Sequence, residues 1–117
     1  MAVTRIVANI ATPDVATVRD FYAVLFGLNT VMDFGWIATL ATDTSAPVQI
    51  SIASEGGSGT EVPDLSIEVD DVDAVHDLAS AQGHHILYGP VDEPWGVRRF
   101  HIRDPAGRLL NLLAHIG

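Results

Sequence analysis

Val15-Ala-Thr-Val18-Arg19-Asp20-Phe21 and Val72-Asp-Ala-Val75-His76-Asp77-Leu78 lie 57 residues apart in a chain of 117, and they spell one pattern twice. Each carries valines three apart, then an aspartate and a large apolar residue, and each follows an aspartate, Asp14 or Asp71. Valines at that spacing share one face of a helix. Upstream at the same offset, Ala8 and Ile10 fall on Leu65 and Ile67, the apolar members of two short alternating stretches that read as strands. Both halves therefore begin strand then helix, and a self-match at half the chain length marks a duplicated unit.

The first helix is expected to open at Thr12 as N-cap with Pro13 in the first turn, to carry Val15, Val18, Tyr22 and Leu25 on the side facing a sheet, and to stop at Gly27. The second starts near Asp71, buries Val72, Val75, Leu78 and Ala79, and ends at Gly83, where glycine takes a left-handed backbone. Strand-like stretches follow near 28–33, 36–41 and 47–53 in the first half, and near 85–88, 97–103 and 108–115 in the second. Each half is then βαβββ. Module one covers about 1–53 and module two about 62–117; Ser54-Glu-Gly-Gly-Ser-Gly-Thr60, within a connector of about 54–61, reads as flexible.

Alternation assigns faces. Ile6, Ala8 and Ile10 oppose Val7 and Asn9; Ile50 and Ile52 oppose Gln49 and Ser51; Leu65, Ile67 and Val69 oppose Asp64, Ser66 and Glu68. Phe100 and Ile102 oppose Arg99 and His101, and Leu110 and Leu112 oppose Leu109, Asn111 and Leu113. The first set suits packing beneath the helices. The second, rich in hydrogen-bonding groups, either faces solvent or lines a cleft, and alternation alone leaves both open.

Composition narrows the chemistry. Hydrophobic residues make up 48% and charged ones 18%, enough for one domain with a core. No apolar run approaches a bilayer span, and the start lacks the pattern of a signal peptide, so a soluble cytoplasmic protein is expected. The absence of cysteine excludes disulfides, thiolate metal sites and a cysteine nucleophile. Fifteen acids against six arginines and no lysine give a net charge of −9, which disfavours nucleic acid and anionic membranes as partners. Residues 98–117 hold four of those arginines and one acid.

Three further stretches carry a resemblance. They are Phe21-Tyr22-x-x-Leu25-Phe26-Gly27-Leu28, Ile67-Glu-Val-Asp-Asp-Val-Asp73, and the run from Gly89-Pro90 through Pro94-Trp95-Gly96-x-Arg98-x-Phe100 to Arg103-Asp104-Pro105-x-Gly107. Together they resemble the vicinal oxygen chelate superfamily of glyoxalase I, extradiol dioxygenases and fosfomycin- and bleomycin-resistance proteins, and are most similar to its bleomycin-resistance-like, antibiotic-binding branch. The resemblance covers essentially the whole chain. It implies an α+β fold in which two βαβββ modules form a curled mixed sheet around a cleft, commonly completed in a homodimer. From the residues themselves, Asp104-Pro-Ala-Gly107 is a tight turn between antiparallel strands. Trp95, between Pro94 and Gly96, either seals the core or walls a cleft.

Metal-dependent relatives place His or Glu ligands at four positions, which the resemblance maps onto Val7, Gln49, Asp64 and Asn111. Only Asp64 is a good ligand, since valine donates nothing and neutral amides bind divalent metals weakly. The expectation is therefore no metal and no cofactor. A rearranged cluster of Asp64, Glu68, His101 and His115 is the alternative, and His101 with Asp64 or Glu68 is a candidate acid–base pair. His76, His84 and His85 read as surface residues. The favoured function is metal-free binding of a small organic molecule by Asn9, Trp36, Gln49, Asp64, Glu68, Trp95, Arg99, His101 and Asn111, with Phe34, Trp36 and Trp95 as aromatic walls. The acids suit a cation, whereas Arg98 and Arg99 suit a carboxylate or phosphate. The competing function is a lyase, isomerase or dioxygenase with a rearranged metal site.

Overall fold

Asp14 and Asp71, the residues before the repeated pattern, cap the two helices: their side chains accept from Thr17 N and Ala74 N. In the computed structural model, which describes residues 2–43 and 49–116, α1 is Val15–Phe26 and α2 is Val72–Ala81. Helix α1 thus starts two residues later than expected. Thr12 Oγ1 instead accepts from Asp14 N at 3.1 Å, bracing the cap from outside the helix. Gly27 ends α1 with φ 68°; Gln82 is the C-cap of α2, and Gly83 follows with φ 82°.

The strands are β1 Val3–Ala11, β2 Asn29–Asp33, β3 Ile37–Ala41, β4 Gln49–Ala53, β5 Leu65–Val69, β6 Tyr88–Glu93, β7 Val97–Arg103 and β8 Leu109–His115. This is the expected α+β succession, with one displacement. The strand placed at 85–88 begins at Tyr88 and runs on through Gly89-Pro90 to Glu93. A proline without an N–H is tolerated there because β6 lies at the end of the strand order and its pairing with β7 shifts register between Tyr88 and Val91. Residues 47 and 48 of the expected third strand lie outside the described residues.

The chain divides into two compact units, one of Val7–Val62 and the other of the residues before Val7 with those from Pro63 onward. Strand β1 crosses that boundary. In the first unit β1 runs parallel to β4, and β4 and β3, then β3 and β2, are antiparallel. In the second, β5 runs parallel to β8, with β8–β7 and β7–β6 antiparallel. One topology is built twice, as the sequence repeat requires.

Each unit buries its apolar strand faces under its own helix. In the first, Val15, Ala38, Leu40 and Ile52 form the core, with Ile10, Val18, Tyr22, Leu28 and Ile50 packed around it. In the second, Val69, Val72, Ala79, Phe100, Leu112 and Ala114 do so, with Ile67, Val75, Ile102 and Leu110. Four residues assigned to these faces are exposed instead: Ile6, Ala8, Leu25 and Leu78. Helix α1 packs chiefly on β3 and β4, and α2 on β7 and β8.

The Asp104–Gly107 turn forms as read. Gly107 N donates to Asp104 O, and Ala106 N and Arg108 N both donate to Asp104 Oδ1, all at 2.9 Å. The glycine-rich connector, by contrast, is a built loop. Gly56 N donates to Thr60 O at 2.8 Å, Thr60 N to Gly57 O at 3.0 Å, and Gly59 N to Glu55 Oε1 at 3.1 Å. A Cβ at Gly56 would collide with the Glu61 carbonyl oxygen and the Thr60 hydroxyl. Gly56→Ala is expected to destabilise the protein by about 1–3 kcal/mol, the range for overpacking. Urea unfolding checks this, and an unchanged midpoint would show the loop to be as free as its composition implied.

Candidate functional site

The strand faces turned away from the helices carry polar residues, and several of those residues are buried rather than solvated. Among them are Thr39, Ser51, Glu93, Arg99, His101 and Asn111, with Val7 beside them in the count of buried side chains. Cross-strand register sets them in rows. In the first unit Asn9 faces Ser51, Ser51 faces Thr39, and Thr39 faces Met32. In the second Ser66 faces Asn111, Asn111 faces His101, and His101 faces Tyr88. Asn9 and Ser66 are related by the same offset of 57.

The rows differ in how their polar groups are satisfied. Thr39 Oγ1 and Ser51 Oγ bond each other at 2.7 Å in the first. In the second, Asn111 Nδ2 donates to Ser66 Oγ at 3.2 Å, and the Asn111 side chain also interacts with the His101 ring across β8 and β7.

Beside His101 on β7, Arg99 makes a buried ion pair. Its Nη2 and Nε lie 2.6 and 2.8 Å from Glu93 Oε2, with the two side chains 3% and 4% exposed. Tyr88 Oη donates to the same oxygen at 3.1 Å. The guanidinium carbon lies 5.2 Å from the centre of the Tyr88 ring and 5.0 Å from that of Trp95. Trp95, in the turn between β6 and β7, thus covers a buried cation, one polar role that its two sequence-level alternatives did not include.

Burial, then the Arg99 charge, lowers the His101 pKa from 6.5 to about 4, against the weaker opposing effects of a side-chain hydrogen bond with Asn111 and of the Glu93 charge. The ring, 5.1 Å from that of Tyr88, is neutral at pH 7. The remaining candidates are placed as follows. Asp64, read as a strand residue, lies just before β5 and is exposed; its Oδ2 accepts from Leu109 N at 2.8 Å. Glu68 pairs with Arg5 at 3.2 Å and His115 Nδ1 at 3.3 Å. Asn9, Gln49 and Trp36 belong to the first unit, where Gln49 faces Ala41 and the Trp36 ring lies 6.4 Å from that of Phe34. Arg98 is occupied by Asp73 and Asp92, at 2.9 and 3.0 Å. His84 and His85 are exposed as expected. His76 is not a free surface group, since it packs edge-on against Phe100 at 5.4 Å.

A family model described as the glyoxalase/bleomycin resistance protein/dioxygenase superfamily matches residues 4–112. The chain belongs to that superfamily. Solved structures with the same fold include a superfamily member from Vibrio splendidus 12B01, at 15% identity and TM-score 0.67, covering 98% of this chain and 100% of that one. Another is a Streptomyces coelicolor methylmalonyl-CoA epimerase in complex with 2-nitronate-propionyl-CoA, at 21% identity and TM-score 0.73, covering 99% and 100%. A third, an NAD-dependent benzaldehyde dehydrogenase from Legionella pneumophila, aligns at 18% identity and TM-score 0.76, covering 95% and 99%. No curated protein sequence matches the chain.

The four positions at which metal-dependent members of the superfamily carry ligands do not fit a divalent ion here. Val7 has no donor, Asp64 is committed to the Leu109 amide, and Gln49 and Asn111 are neutral amides. Of the rearranged set, Glu68 and His115 meet each other, and among the described residues no three His, Asp or Glu side chains are grouped as a metal site. Sequence reasoning did not single out Tyr88 and Glu93, and it placed Ser66 on this face without counting it among the binding residues. The first two were hidden because β6 was placed too early; Ser66 was legible from its parity with Glu68.

Two outcomes are expected. Glu93→Ala leaves Arg99 as an uncompensated buried charge and should destabilise by about 3–5 kcal/mol in chemical unfolding; a change below about 1 kcal/mol would mean that the cation is solvated. His101 remains neutral to about pH 4 when folded and is protonated below 6.5 when unfolded, so the native state binds fewer protons in that window and stability falls as pH drops through it. His101→Asn should flatten this dependence in urea titrations at pH 7 and 4.5, and an equal pH slope in both proteins would assign it to other groups.

Proposed function

We propose that this protein is a cytoplasmic small-molecule binder that works without a bound metal, as a homodimer, and receives its ligand on the polar face of β5, β8, β7 and β6. The observation that carries this reading is the burial of Arg99, His101 and Asn111 together on that face. A solvated sheet face would expose them. Trp95 and Tyr88 add aromatic surface at the same place. Sequestration of a drug-like compound, as the resemblance to bleomycin-resistance proteins implies, needs no reacting group beyond these.

The metal-dependent lyase, isomerase or dioxygenase reading needs a donor set that Val7, Gln49, Asp64 and Asn111 do not make. The likeness to methylmalonyl-CoA epimerases supports the fold alone at 21% identity. A dimer is favoured by the apolar surface at the last turns of α1, where Phe21, Val24, Leu25 and Phe26 are all exposed.

Tryptophan emission of a Trp36→Phe variant, titrated with a panel of aromatic heterocyclic compounds, tests the reading. A ligand at this face should quench Trp95 saturably, and Leu113→Trp, which fills the face between Asn111 and His115, should weaken binding about tenfold or more. Stoichiometric zinc, iron, nickel or manganese in the purified protein, with turnover that depends on it, would overturn the proposal.

A further inference from the structure

At the offset of 57 residues that relates the two halves, Val24, Leu25 and Phe26 of α1 fall on Ala81, Gln82 and Gly83, where α2 comes to its end. Helix α1 has 12 residues and α2 has 10, so the two by which α1 is longer are Leu25 and Phe26. They are 62% and 59% exposed, and Val24 before them is 85% exposed. The twin helix packs on its strands through Val72, Val75 and Ala79 with no such surface, so the duplicated fold does not require it. At about 100° per residue, Val24 lies on nearly the far side of α1 from Tyr22, which packs on the first core.

Phe21, whose counterpart is Leu78, completes the face. It is 55% exposed, with its ring 5.3 Å from that of Tyr22 and 6.4 Å from that of Phe26. Since an aromatic side chain offers about 150–250 Å2, four large apolar side chains exposed by more than half leave roughly 500 Å2 together. A patch of that size marks an interaction site. It is well over half of the roughly 800 Å2 that each member of a stable dimer buries.

Charge selects the occupant. No acidic or basic side chain lies between Phe21 and Met32. The charges that flank this stretch close on one another, Arg19 meeting Asp20 at 3.0 Å and Asp33 at 2.7 Å. With a net charge of −9, two copies repel wherever their acids would meet, and an anionic membrane is repelled as well. A basic partner would be drawn to the acids rather than to this face. An uncharged apolar face lets one copy meet another without like charges opposed, and it is complementary to itself, as a two-fold contact requires.

Resting on the homodimer reading above, we infer that the occupant is the same face of a second copy, so that two α1 helices pack about a two-fold axis through Phe21, Val24, Leu25 and Phe26. The contact draws on residues of the first unit only. Pairing of copies and ligand binding on the polar face of β5 to β8 are then separable.

Because the chain has no cysteine, a single introduced thiol reports where copies meet. Under mild oxidation Val24→Cys or Leu25→Cys should form a disulfide-linked dimer, and Ala81→Cys, at the matching place on α2, should do so at least about tenfold more slowly. In sedimentation velocity the unmodified chain should be a dimer at tens of micromolar, and Val24→Asp should weaken it about tenfold or more while the circular dichroism spectrum is kept. If that variant does not fold, the cross-linking rates decide. A dimer that Val24→Asp leaves intact, or equal cross-linking at Val24, Leu25 and Ala81, overturns the α1 contact and leaves the homodimer standing. A monomeric unmodified chain overturns both, and binding of that monomer to phosphatidylcholine vesicles would give the face to lipid. Quenching of Trp95 by a ligand is unaffected by any of these outcomes.

Discussion

Successive side chains of a strand point to opposite faces, so every residue laid beneath a helix commits its neighbours to the other side. Phe100 and Leu112 pack under α2, and for that reason Arg99, His101 and Asn111 must share the opposite face. Those three side chains are buried too. Buried polar groups cannot be left to water, and each must find a partner. The clasp of Arg99 by Glu93, Tyr88 and Trp95 and the ties of Asn111 to Ser66 and His101 are two results of one constraint.

Duplication makes the contrast interpretable. Both units repeat one strand arrangement, and their rows occupy matching places. In the first, two short hydroxyl side chains, Thr39 and Ser51, satisfy each other at 2.7 Å. In the second, larger side chains with fixed donor and acceptor directions replace them, Asn111 lying between Ser66 and His101. A hydroxyl rotates to suit its partner, whereas an amide and an imidazole do not. The second unit therefore carries an amide and an imidazole where its twin carries hydroxyls, on a scaffold that both share.

Much of this was legible in advance. The repeat located both helices, and parity placed Arg99, His101, Asn111 and Glu68 on one face because the spacing of two is independent of context. Helix boundaries were less legible at α1, where Thr12 and Asp14 both have capping side chains and only the backbone path chooses between them. Strand β6 was obscured by Gly89-Pro90, which reads as a loop in isolation and is accepted where an edge strand shifts register. The connector misled for the opposite reason: Gly56, Gly57 and Gly59 permit a tight hydrogen-bonded turn as well as a flexible chain, and composition does not distinguish them.

By itself the sequence determined that the chain is two copies of a βαβββ unit and which side chains share a face. These follow from periodicity and from the chemistry of single residues. Tertiary structure alone decided that Asp64 serves a backbone amide, that Glu68 answers Arg5 and His115, and that Glu93 neutralises Arg99. The reason is that pairing depends on distances between strands far apart in the chain: a carboxylate is available to a ligand only when no closer donor has claimed it.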